Sequence, residues 1–183
     1  MSKYKLHLFG WITLLVFPLP AFWVLWYFEN FSILDFLQLS SVLDIRSGLG
    51  VEFGILYAFF ALLFLNAPVF DELPDKMETM IKNMNLKWFD TVFLSLCAGI
   101  GEELLFRVGV QHYCGIWVTS IVFVAIHGYL NPFNWRKSLY GLIVLPFILL
   151  ISYGYEHFGL WFCIGAHFSY DLVLFVAITK KEV

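Results

Sequence analysis

Six ionisable residues stand out because their surroundings are otherwise apolar: Glu102, Glu103 and Arg107 in Glu-Glu-Leu-Leu-Phe-Arg, His127 in Phe-Val-Ala-Ile-His, and His167 and Asp171 in His-Phe-Ser-Tyr-Asp. Each cluster sits in a stretch hydrophobic enough to enter a bilayer. There an ionisable side chain costs several kcal/mol unless it pairs or faces water, so it marks a functional site by default. A carboxylate beside a histidine can bind and deprotonate a water molecule, and apolar surroundings bring a carboxyl toward the range of a useful general base. A second histidine with a polar partner can hydrogen-bond a developing oxyanion. Together these are the parts needed to hydrolyse an amide.

The spacing divides the work. Glu103 and Arg107 are four apart with the acid first, the favourable order for an ion pair on one helix face. They neutralise each other and brace the site. Glu102 points about 100° away and is free to act on something inside the bundle. Gly99 and Gly101 remove bulk and let a neighbouring helix or a substrate backbone approach. His167 and Asp171 are again four apart, and Phe123 lies one turn before His127. Singly, each has a plainer explanation: a membrane histidine often bonds two helices together, and a Glu–Arg pair is often structural. Their convergence in one chain favours catalysis. Ser169 is two residues from His167 and faces away from it, so no activated serine is read here, and no His-Glu-x-x-His zinc motif is present.

These residues need helices to hold them. The chain of 183 residues is 61% hydrophobic and only 14% charged, where a soluble domain is close to half apolar and a quarter charged. Aromatics at 20% suit interfacial belts, and a net charge of −3 is too small to point to nucleic acid or a polybasic tether. Six apolar segments follow, at about 8–28, 49–70, 91–112, 114–130, 139–154 and 158–178; a spanning helix takes roughly 20 residues. The expected fold is therefore all-α: a polytopic membrane protein, about six transmembrane helices in a bundle around a buried polar site, read as one domain over 1–183. The first segment is too long for a signal-peptide core and is read as a retained helix, kinked at Pro18 and Pro20. Lys3, Lys5, Lys76, Lys82, Lys87, Arg136, Lys137, Lys180 and Lys181 fall on one side of this arrangement and Arg46 on the other. That is the positive-inside pattern, with both termini cytoplasmic in a cell (plasma) membrane.

Two connections carry pattern of their own. Met77, Met80, Ile81 and Met84 recur at helical spacing within 75–86, an amphipathic helix on the cytoplasmic face, read as a surface strap in preference to a substrate gate. Residues 31–45 repeat this less clearly outside. Cys97, Cys114 and Cys163 are too scattered to pair and are read as small buried apolar residues. Depth sets one condition on the site. Glu102 lies about 16 Å along its helix at 1.5 Å per residue. His127 reaches it only if 128–135 is irregular backbone held below the interface, where it lines a water-filled cavity.

Glu-Glu-x-x-x-Arg, Phe-x-x-x-His and His-x-x-x-Asp, in this order on separate helices, resemble the CAAX-protease and bacteriocin-processing family of intramembrane proteases, over a core of about 88–178. Phe106 also fits the usual Glu-Glu-x-x-Phe-Arg form. The resemblance implies a glutamic-type endopeptidase that needs no metal or cofactor and cleaves a membrane-embedded or membrane-associated protein or peptide. By motif position Glu102 and His127 activate the water, His167 and Asp171 stabilise the oxyanion, and Glu103 and Arg107 support them. The last position is often Asn in the prenyl-protein branch. An ionised Asp171 cannot donate a hydrogen bond, so it is either protonated or orients His167. Two alternatives stay open: a zinc protease using His127, His167 and Glu102, and a non-catalytic membrane binding or immunity protein whose polar cluster only holds helices together. A transporter is less favoured, since no inverted repeat is present.

Overall fold

The computed structural model describes residues 3–65, 86–131, 133 and 135–180. Among these every regular element is helical: α1 (Lys3–Leu15), α2 (Pro18–Glu29), α3 (Ile33–Leu37), α4 (Ile45–Leu65), α5 (Trp88–Glu103), a π-helical segment (Leu104–Val110), α6 (Gln111–Ile126), α7 (Trp135–Phe158) and α8 (Leu160–Lys180). The amphipathic helix expected at 75–86 lies outside the described residues but for its last residue.

Five stretches are long and apolar enough to cross a membrane. The third, Trp88–Ile126, has 39 residues, about twice what a bilayer needs. A straight helix would hold Phe106 and Phe123 roughly 25 Å apart, yet their rings are 4.9 Å apart. The chain reverses at Gly115, whose φ of 71° and ψ of 175° are non-helical, an angle pair open to glycine. This stretch is therefore two arms that fold back on each other at Gly115. The protein is a helical integral membrane bundle.

The first pass breaks between Leu15 and Pro18, where Phe17 N–H reaches back to Ile12 O at 3.3 Å, because the prolines cannot continue the ladder. Around α8 the helices pack backbone to backbone. A Cβ on Gly50 or Gly54 of α4 would overlap the carbonyls of Phe162 and Ala166, and one on Gly101 would overlap that of Thr13 in α1. Small residues at membrane helix interfaces allow this approach. Large apolar side chains such as Leu56, Leu63 and Trp23 are 70%, 75% and 61% exposed, as expected where lipid replaces water.

Two expectations are corrected. Cys97 and Cys163 are buried, but Cys114 is exposed, because it adjoins the reversal at Gly115, where residues 112–115 are all exposed. Residues 31–45 form no continuous amphipathic helix. They make the single turn of α3, capped by Ser32 and Asp35, and a 3₁₀ turn at Leu39–Ser41. Gln38 then ties this strap inward: its amide donates to Tyr155 Oη at 3.2 Å and its Oε1 accepts from Leu160 N–H at 3.3 Å.

Candidate active site

All six residues singled out in the sequence come together at the inner end of α5, the C-terminus of α6 and the middle of α8. Glu103 and Arg107 are fully buried and pair as their spacing predicts, Arg107 Nε donating to Glu103 Oε2 at 2.7 Å. Arg107 lies in the π segment, and Gln111 follows it at the same four-residue spacing. Arg107 Nη1 donates to Ser152 Oγ at 2.7 Å, and Gln111 Nε2 to the Ser152 carbonyl at 3.0 Å. Ser152, on α7, donates onward to Ile148 O at 2.7 Å. The pair is thus anchored to a neighbouring helix, as a buried charge pair must be if its desolvation is to be offset.

Glu103 has a second duty. Its other oxygen, Oε1, lies 2.7 Å from His167 Nδ1. A carboxylate already paired with arginine can only accept, so Nδ1 carries the proton and Nε2 of His167 is turned the other way, 3.5 Å from Asp171 Oδ2. His127 is set likewise. Its Nδ1 lies 2.7 Å from the carbonyl of Phe123, which cannot donate, so Nε2 is the nitrogen that faces Glu102 Oε2 at 3.5 Å. In both histidines the hydrogen bond made by one ring nitrogen selects the chemistry of the other.

Phe123 explains why its motif is Phe-x-x-x-His. Its ring stacks under His127 (4.4 Å, 24° between planes) and meets His167 edge-on at 5.9 Å. The Arg107 guanidinium lies 5.8 Å from its centroid, within cation–π range. One aromatic ring therefore spaces three ionisable groups.

The helix gives way to irregular backbone where the sequence expects it. His127 caps α6, Gly128 takes φ 76°, and residues 127–131 are turn and bend, so His127 and Glu102 meet. Exposure then separates the groups. The side chains of Glu103, Arg107 and His167 are 0%, 0% and 7% exposed, whereas Glu102, Asp171 and His127 are at 14%, 24% and 32%. The charges of Glu102, Glu103, His127 and His167 all act on Asp171, so the cluster is one electrostatic unit. Asp171 opens into a cleft of about 180 Å³ between α1, α5 and α8, floored by Gly10, Leu94 and Cys97. Ser169 turns away, donating to Val51 O at 2.9 Å. Among the described residues no group of three or more His, Cys, Asp or Glu side chains is arranged to hold a metal ion.

Three participants escaped sequence reading. Ser152 looked like any small polar residue, the bond from Glu103 to His167 joins distant segments, and the π segment has no simple sequence signature.

A helical membrane bundle enclosing paired carboxylates, two histidines and an arginine falls among the polytopic membrane proteins with a buried ionisable centre. Residues 84–173 match the family model described as Rce1-like, type II CAAX prenyl endopeptidase Rce1-like, a model within the CAAX-protease and bacteriocin-processing family. Over 94 residues the chain is 34% identical to the uncharacterized protein YpbD of Bacillus subtilis (strain 168), the match covering 50% of this chain and 47% of that protein. The chain thus spans about half the length of the curated relative it matches. No solved structure matches it.

Proposed function

We propose that this protein is an intramembrane endopeptidase that hydrolyses a peptide bond of a membrane-associated protein or peptide, using a water activated by Glu102 and His127. The observation that carries this is the 3.5 Å approach of Glu102 to His127 from separate arms, with both side chains still partly open, beside a closed Glu103–Arg107–His167 support. In the reaction a water bound between Glu102 and His127 gives a proton to the Glu102 carboxylate. Its oxygen attacks the carbonyl carbon, and the π electrons move to the carbonyl oxygen. His167, held by Glu103, donates from Nε2 to that oxyanion when protonated, with Asp171 orienting the ring. The proton then passes to the amide nitrogen, the C–N bond breaks and the new carboxyl and amine leave. Burial of the site strengthens each of these interactions over its value in water.

The substrate class is C-terminal, sorting-signal or peptide-maturation cleavage, in a cell membrane with both termini of the enzyme cytoplasmic. Glu102→Gln keeps the shape and removes the base; it is expected to abolish cleavage by the protein reconstituted in liposomes. Cleavage by Glu102→Gln at the wild-type rate contradicts the proposal and favours a purely structural cluster.

A further inference from the structure

We propose that Tyr129 is a further catalytic residue, its phenolic hydroxyl donating a hydrogen bond to the oxygen of the peptide carbonyl under attack. This rests on the protease reading above and adds a residue outside the three motifs.

The backbone places the ring. Gly128 N–H donates to Ala125 O at 2.9 Å and Tyr129 N–H to Val124 O at 3.2 Å, with Gly128 at φ 76°. This is the Schellman termination, which folds the residue after the glycine back along the helix it ends. Tyr129 accordingly lies nearly parallel to the His127 ring, 6.1 Å between centroids and 9° between planes. Tyr140 of α7 packs edge-on against its other side at 4.7 Å. The Tyr129 carbonyl presses against Gly141, where a Cβ would overlap it. A half-buried aromatic held from three directions is a built position, and it adjoins the histidine that faces Glu102.

The chemistry of the site leaves a donor to be supplied. Asp171, as a carboxylate, only accepts, so His167 Nε2 is otherwise the single donor from α8. The Tyr129 ring stands against the His127 ring, whose Nε2 faces Glu102 Oε2 at 3.5 Å, which sets the phenol beside the partly open side of the cluster. Burial, then Tyr140 and the charges of Asp171 and Glu102, hold its pKa well above the usual tyrosine value. That direction favours the protonated hydroxyl, the form that donates a hydrogen bond to an oxyanion.

Tyr129→Phe is the test, because it keeps the ring and its stacking and removes only the hydroxyl. Wild type, Tyr129→Phe, Tyr140→Phe and Glu102→Gln would be compared as full chains in liposomes. The probe is a peptide spanning a bond whose new termini appear with wild type and vanish with Glu102→Gln. Tyr129→Phe is expected to retain the wild-type thermal midpoint and KM within about twofold and to lose about a hundredfold in kcat, the scale of one oxyanion donor. Tyr140→Phe is expected to retain kcat. A Tyr129→Phe enzyme with wild-type kcat per folded molecule, alongside an inactive Glu102→Gln, overturns the role of Tyr129 and leaves the protease reading standing. Wild-type termini in Glu102→Gln overturn both.

Discussion

Glu102 and Glu103 are adjacent in sequence and opposite in surroundings. Glu103 is sealed between Arg107 and His167 at 2.7 Å from each; Glu102 keeps one partner at 3.5 Å and some exposure. Their amide variants should therefore differ in kind. Glu103→Gln leaves Arg107 buried without its counter-charge, a change of about 3–5 kcal/mol, so the thermal midpoint in detergent should fall markedly and activity with it. Glu102→Gln should melt close to wild type and be inactive. Equal midpoints for the two would contradict this division. Ser152→Ala removes an acceptor from Arg107 and should cost about 1–3 kcal/mol, measured by the same melt. The Glu103–Arg107 pair was legible because four-residue spacing on a helix implies it. The bond to His167 was not, since it depends on the register of α5 against α8, which no local pattern encodes.

At the level of elements, termini and glycines aim the side chains. Gly128 in the left-handed region ends α6 at His127, and a Cβ there costs roughly 1–2 kcal/mol. Gly128→Ala should reduce cleavage more than it reduces the thermal midpoint, because the strain is relieved by moving His127 away from Glu102. A variant with full activity would show that the turn does not aim the histidine. Gly101→Ala should instead lower the midpoint, since the added Cβ meets the Thr13 backbone, which a rigid helix pair cannot yield without opening. The break after His127 was foreseeable, because Glu102 and His127 lie at different depths on uninterrupted helices. The kink at Pro18 follows from the missing N–H. The π segment and the strap through Gln38 were hidden, because both arise where helices already in contact adjust to one another.

Across the whole molecule, composition was enough to place the chain in a bilayer. Polar residues are too few to cover its surface, and the exposed Leu, Phe and Trp side chains are where lipid belongs. Segment lengths pointed to a multi-pass helical bundle, and Trp88–Ile126, one long apolar stretch, is divided at Gly115. The metal question also belongs at this scale. The zinc alternative needs His127, His167 and Glu102 to converge on one point. Among the described residues no three such side chains are arranged to hold a metal ion, although His167, with Nδ1 on Glu103, keeps the orientation a metal-binding histidine has. Cleavage by purified protein should accordingly survive exhaustive chelation; activity lost on chelation and restored by zinc alone would reinstate that alternative.

The most direct test compares protein and peptide termini by mass spectrometry in cells carrying wild type or Glu102→Gln at matched expression. An intramembrane protease dependent on Glu102 predicts a set of new termini present with wild type and absent with the variant, in membrane-associated proteins or peptides. Identical termini in the two, with the variant restoring any phenotype of the deleted gene, would contradict the account and assign the polar cluster to holding the helices together.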